Sequence, residues 1–301
     1  MNKIPFDHRP AWVEPGDEKP TLGRRAFLTT SVAVGFAAAV QPVMAQVIHT
    51  DSDGIVAGQV TVPVKDGQIP AYRAYPAPGA LRANGTPATA PFPTVIVVHE
   101  IFGVHEHIQD VVRRFAKLGY YAICADLYSR DGDVAKMEKM DEVMAVVRKT
   151  PDAQVLSDLD STVDYLKTTG QADVKRVGIT GFCWGGRVTW LYSAHNPQVV
   201  KAGVAWYGPL ASSDPQRPSA ISLAATLQVP VLGLYAGKDG HITADDVAAM
   251  KVALKGTKSD IVVYPDADHG FNADYRPSYN KQAAEDGWKR LREWFKANGV
   301  V

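Results

Sequence analysis

The chain predicts an α/β fold, a mostly parallel central sheet with helices on both faces. Three observations carry that expectation. Short continuous apolar runs, such as 94–98 and 231–235, recur along the chain and read as strands buried on both sides. Segments with helical apolar spacing separate them, as crossovers between parallel strands require. One run, Val177-Gly178-Ile179-Thr180, passes through Gly181-Phe182-Cys183-Trp184-Gly185-Gly186 into a helical stretch, the order of a sharp strand-to-helix turn.

Residues 69–75 form the first expected strand, and the Pro/Gly/Ala-rich stretch 77–93 a loop. The run 94–98 follows, then a helix at 107–118 with apolar residues at 108, 111, 112, 115 and 118, which Gly119 ends. Strands are expected at 120–125, 176–180, 202–207, 231–235 and 261–264, and helices at 153–166 and 184–194. A closing helix, 279–297, carries Trp288, Leu291, Trp294 and Phe295 at helical spacing, a core-facing pattern. No internal repeat is visible and no Pro/Ser-rich linker divides 46–301, so this stretch is expected to be a single domain.

Acidic and basic residues balance at 32 each in the 301 residues. No global field therefore favours nucleic acid, an anionic membrane or a highly charged substrate. The two cysteines, Cys124 and Cys183, lie in apolar, strand-like surroundings with different apparent roles, and are expected to stay unbonded.

The first 45 residues read as an address. Arg24-Arg25-Ala26-Phe27-Leu28 precedes an apolar stretch, 32–40, and then Val43-Met44-Ala45 with small residues where signal peptidase needs them. This is the pattern of a bacterial twin-arginine signal peptide, 1–45, cleaved near Ala45. Its partner is the twin-arginine export machinery, and the expected location is periplasmic or secreted. The uncharged run contains Thr, Ser, Gly, Gln and Pro and falls short of the ~20 strongly apolar residues of a spanning helix, so no stable membrane anchor is expected.

Gly-x-Cys-x-Gly at a strand–helix junction points to Cys183 as a nucleophile. The turn lifts its sulfur to the C-terminal edge of the sheet and to a helix N-terminus, where the dipole favours a thiolate. A base and an orienting acid should follow in the order nucleophile, acid, histidine. Asp239, in Gly237-Lys238-Asp239, follows one apolar run, and His269, in Asp268-His269-Gly270-Phe271, follows the next. Both reach the edge where open α/β sheets bind ligands. Asp266 and Asp268 read as loop residues, and His241, His195, His105 and His107 as surface or supporting residues, since none ends a core strand in the required order.

With these residues in hand, the chain resembles the dienelactone hydrolase family, also called carboxymethylenebutenolidases, within the α/β-hydrolase fold. The likeness spans about 55–298 and rests on Gly181-Phe182-Cys183-Trp184-Gly185-Gly186, His99-Glu100-Ile101-Phe102-Gly103-Val104, Ala125-Asp126-Leu127-Tyr128, Gly237-Lys238-Asp239 and Asp268-His269-Gly270-Phe271. The resemblance implies hydrolysis of a small ester or lactone through Cys183, His269 and Asp239. It gives Glu100 a role in deprotonating the cysteine and the Ile101 and Trp184 N–H groups the oxyanion hole. It also points to arginines that hold a substrate carboxylate. Arg130 matches one; at the other position stands Ala273, with Arg276 the nearest arginine.

Other readings compete. His99, Glu100, His105, Glu106 and His107 could form a metal site, but their spacing falls in a Gly-containing loop and lacks the helical i, i+4 pair, so no metal or other cofactor is expected. A periplasmic thiol sensor or binding protein would need Cys183 alone. A general short-chain carboxylesterase or thioesterase would keep the fold and the triad.

Overall fold

The computed structural model describes residues 49–81, 85–212, 214 and 217–301. The leader, with Arg24, Arg25 and Ala45, lies outside the described residues. β1 (Ile55–Val64) and β2 (Gly67–Pro76) form an antiparallel hairpin. β2 pairs antiparallel with β4 (Tyr121–Ala125), and β4 pairs parallel with β3 (Phe92–Val98). From β3 the sheet continues parallel through β5 (Ala172–Phe182), β6 (Val200–Trp206), β7 (Val231–Ala236) and β8 (Asp260–Tyr264). The order across the eight strands is β1-β2-β4-β3-β5-β6-β7-β8.

Every residue of β3, β4 and β7 is buried, which requires cover on both faces of the sheet. The helices α1 (Glu106–Lys117), α2 (Met140–Lys149), α3 (Asp152–Thr168), α4 (Trp184–His195), α5 (Ala220–Ala224), α6 (Ala244–Ala253) and α7 (Lys281–Ala297) lie between or after the strands. α1 buries Ile108, Val111, Val112 and Phe115 at the expected spacing and stops where Gly119 adopts φ 98°. In α7, Leu291 and Phe295 are fully buried, each contributing about 1.5–3 kcal/mol of burial. The indoles of Trp288 and Trp294 find acceptors at Asn272 Oδ1 (2.8 Å) and the Pro230 carbonyl (3.2 Å), so aromatic bulk is buried without orphaning N–H groups.

Sequence reading missed four elements. β1 is a half-buried edge strand interrupted in pattern by Gly58 and Pro63. α6 buries only Val247 and Met250, so its helical periodicity is faint, whereas α2 buries Val143, Val146 and Val147 on one face, a helical spacing that was present in the sequence. α5 has five residues. Both cysteines are free, and Cys124 is buried in β4.

Candidate active site

The site grows from the C-terminal ends of β3, β5, β6, β7 and β8. Cys183 follows β5 directly and is the N-cap of α4, with φ 53° and ψ −119°. A non-glycine residue in that region is strained, and such strain persists only where neighbours enforce it. Here the Cys183 N–H donates to the Trp206 carbonyl (3.0 Å), while its own carbonyl accepts from the Gly186 N–H (2.8 Å). The turn is tight enough that a Cβ on Gly181 would lie 2.2 Å from the Gly185 carbonyl oxygen. One on Gly185 would lie 2.3 Å from that of Val98. The glycines let β5, α4 and the end of β3 touch. Trp184 opens α4, where no carbonyl four residues back is available to its N–H.

Asp239 and His269 come together because the loops after β7 and β8 are stitched to each other. The Gly237 N–H donates to the Tyr264 carbonyl (2.7 Å) and the Lys238 N–H to that of Ala267 (3.0 Å). His269 Nδ1 then lies 2.8 Å from Asp239 Oδ2, and Asp239 Oδ1 accepts the N–H groups of His241 (2.8 Å) and Ile242 (3.2 Å). The Asp239 side chain is buried, 1% exposed, against 20% for His269. Burial works against charge on Asp239, but the His269 hydrogen bond outweighs it and holds the carboxyl below its usual range. Burial also opposes charge on His269. The adjacent Cys183 sulfur, then the hydrogen bond to Asp239, overcome it and push the imidazole up to about 10. The Cys183 sulfur, His269 and Asp239 thus lie together at this edge, with Tyr207 edge-on to the His269 ring at 5.2 Å.

Glu100 ends the β3 run, one strand from Cys183, and is 1% exposed. Its Oε2 accepts from Arg276 Nη2 (2.9 Å) and Tyr275 Oη (3.4 Å), while Oε1 is buried without a partner. Burial would raise this carboxyl, but the Arg276 guanidinium holds it well below the carboxylate range. The Arg276 guanidinium lies between the rings of Phe102 and Tyr275, at 4.9 and 5.0 Å from their centroids.

The remaining predicted residues are dispersed. Arg130 is taken up by two carboxylates, Asp66 and Asp158. A substrate carboxylate would have to compete with both for the guanidinium. Arg276 is likewise committed to Glu100. His195 pairs with Asp160 (2.8 Å) and Asp266 with Lys238 (3.2 Å), whereas the exposed His241 ring sits edge-on to His269 at 5.4 Å. The expectation that His105 and His107 are surface or supporting residues is corrected in part, because both are buried beside the Glu100 pocket. His99 is engaged by backbone: Nε2 accepts from the Leu127 N–H (3.1 Å), which leaves Nδ1 to donate to the Glu100 carbonyl (2.6 Å). Among the described residues, no group of three or more His, Cys, Asp or Glu side chains is arranged to hold a metal. Sequence reading also missed Tyr207, whose φ of 37° marks a second strained position at this edge. Its place directly after β6, opposite the Phe182–Cys183 turn, was the available signal.

The model of the dienelactone hydrolase family matches residues 82–299. The chain belongs to the dienelactone hydrolase family. A Methylorubrum extorquens protein named as a carboxymethylenebutenolidase is 55% identical over 289 residues, 93% of this chain and 95% of its own. An Escherichia coli K12 protein with the same name is 47% identical, over 90% of this chain and 98% of its own. A crystal structure from Klebsiella pneumoniae, titled as a dienelactone hydrolase, superposes with a TM-score of 0.75 at 47% identity, covering 81% of this chain and 99% of that one. An acylaminoacyl peptidase of Pyrococcus horikoshii, 16% identical with a TM-score of 0.63 over 82% of this chain and 42% of its own, shares the fold alone. This dienelactone hydrolase family member is accordingly a hydrolase of the carboxylic ester class.

Proposed function

We propose that the chain hydrolyses a small ester or lactone through a thioester on Cys183. The observation that carries this reading is the strained Cys183 at the head of α4, beside a His269 that Asp239 holds at 2.8 Å. The sulfur attacks the carbonyl carbon as a thiolate, and the Trp184 and Ile101 N–H groups receive the developing oxyanion. The tetrahedral adduct collapses to the thioester, and the departing alcohol or enol takes its proton from the His269 imidazolium. Neutral His269, oriented by Asp239, then removes a proton from water, which cleaves the thioester and returns the acid and the thiol form. Glu100 lies at the same edge and, once it leaves Arg276, relays the thiol proton to His269, which is the proton the departing alcohol later takes.

Both arginines are paired at rest, so a substrate carboxylate must displace Glu100 from Arg276 before it gains a cation. Neutral short-chain esters meet no such competition. The test is an activity screen of the mature protein over p-nitrophenyl acetate, neutral lactones and an anionic dienelactone, with Cys183→Ala alongside. Turnover of neutral and anionic substrates is expected, with loss of about 10⁴-fold or more in Cys183→Ala and an unchanged circular dichroism spectrum. Full activity in Cys183→Ala would sink the mechanism.

We also propose export by the twin-arginine route, supported by the Arg24-Arg25 pair, the modest apolar stretch after it and Ala45. On this reading 46–301 is the mature single-domain enzyme, working in the periplasm or outside the cell.

A further inference from the structure

His105 and His107 are buried, yet the reaction above uses neither. His105 Nε2 lies 3.7 Å from Glu100 Oε2, too far for a hydrogen bond, and both of its ring nitrogens are buried without partners. Glu100 Oε1 is a third orphan in the same pocket. Buried polar groups are rarely left unpaired, and three together point to a second arrangement in which they bond. The imidazole cannot turn away to find other partners. Phe102 and Tyr275 pack edge-on to it at 6.4 and 5.7 Å, and the His107 ring is stacked behind it at 6.1 Å.

We propose that His105 is a positioning residue for Glu100: neutral, it leaves the carboxylate free to exchange between Arg276 and the Cys183 thiol; protonated, it grips the carboxylate and holds it off the nucleophile. The inference rests on the role given to Glu100 above. The charges around the ring support it. Facing His105 are Glu100 from the end of β3, His107 from α1, and Tyr275 and Arg276 from the loop before α7. Beyond His107 stands Asp274, with Oδ1 3.3 Å from His107 Nδ1, and Arg114 lies 2.6 Å from Asp274 Oδ2. Glu100 and Asp274 are thus already matched by Arg276 and Arg114. Among the described residues, Glu100 is the carboxylate that a proton added to His105 meets. Burial, and then the charges of His107 and Arg276, work against charge on His105 and Glu100 alone favours it, so its pKa lies below the ordinary imidazole value and charging the ring takes acid.

The experiment is the pH dependence of kcat/KM for p-nitrophenyl acetate in wild type, His105→Gln and Glu100→Gln, each normalised to its own plateau. Two protons, one on the nucleophile pair and one on His105, should make the wild-type acid limb fall by about 100-fold per pH unit. Glutamine cannot take up the second proton, so His105→Gln should fall by about tenfold per unit. Superimposable limbs in these two proteins, with Glu100→Gln slow, overturn the role of His105 and leave that of Glu100 standing. A fully active Glu100→Gln removes the role of Glu100, and this inference with it. Should His105→Gln not fold, NMR titration of the imidazole in wild type decides: a ring that stays neutral while activity is lost overturns the proposal.

Discussion

Chemistry at this site is set by which charge each ionisable group meets. Asp239 places both oxygens in hydrogen bonds, so it fixes the His269 tautomer with Nδ1 protonated and Nε2 turned toward the sulfur. The same carboxylate helps raise His269 to about 10. In the proposed mechanism an imidazolium protonates the leaving alcohol, so hydrolysis should hold through neutral pH and decline as pH rises through about 10, where that proton is lost. In Asp239→Asn one of the raising charges is gone. Its alkaline limb should move to lower pH, and kcat should fall by about 10³–10⁴-fold. Stopped-flow esterase rates between pH 6 and pH 11 check both outcomes; an alkaline limb that stays in place would mean that Asp239 does not govern the His269 proton.

At the scale of elements, the decisive contact is the one between β5, α4 and the end of β3. The glycines on either side of Cys183 exist for this contact, since a methyl at 181 meets backbone oxygen at 2.2 Å, and backbone cannot yield as a flexible side chain can. Gly181→Ala should therefore destabilise the protein by about 3 kcal/mol or more, measured by urea unfolding, and cost activity even where the variant folds. A variant of wild-type stability and rate would show that the turn relaxes freely. The loop pairing after β7 and β8 is the second decisive contact. It rests on backbone hydrogen bonds and so depends little on which side chains the loops carry.

For the whole molecule, two facts combine. Among the described residues no helix is long and apolar enough to cross a membrane, and formal charge is balanced. The proposed destination rests on Arg24 and Arg25. Twin-arginine receptors read the planar guanidinium pair, which lysine does not reproduce. Replacing both by lysine should leave the precursor in the cytoplasm, followed by fractionation and immunoblotting. Unchanged periplasmic yield from the double variant would refute the address.

Continuous apolar runs made β3, β4 and β7 legible in the sequence, because strands covered on both faces have no polar side to display. Gly-x-Cys-x-Gly between such a run and a helix made Cys183 legible, and chain order made Asp239 and His269 legible after it. These are local signals. The edge strand β1 and the weakly buried helix α6 escaped because packing, more than periodicity, holds them in place. Partner choice escaped for a related reason. Arg130 and Arg276 look equally available in the sequence, yet Asp66, Asp158 and Glu100 claim them from positions far away in the chain. His105 and His107 read as loop histidines until the segment before α7 closes over them and buries both. Sequence by itself determined the fold and the placing of Cys183, Asp239 and His269 at one sheet edge, because each depends on neighbours a few residues away or on the order of strands. Tertiary structure alone decided which charges meet, because a buried ion pair is chosen by proximity in space, and no local pattern encodes that.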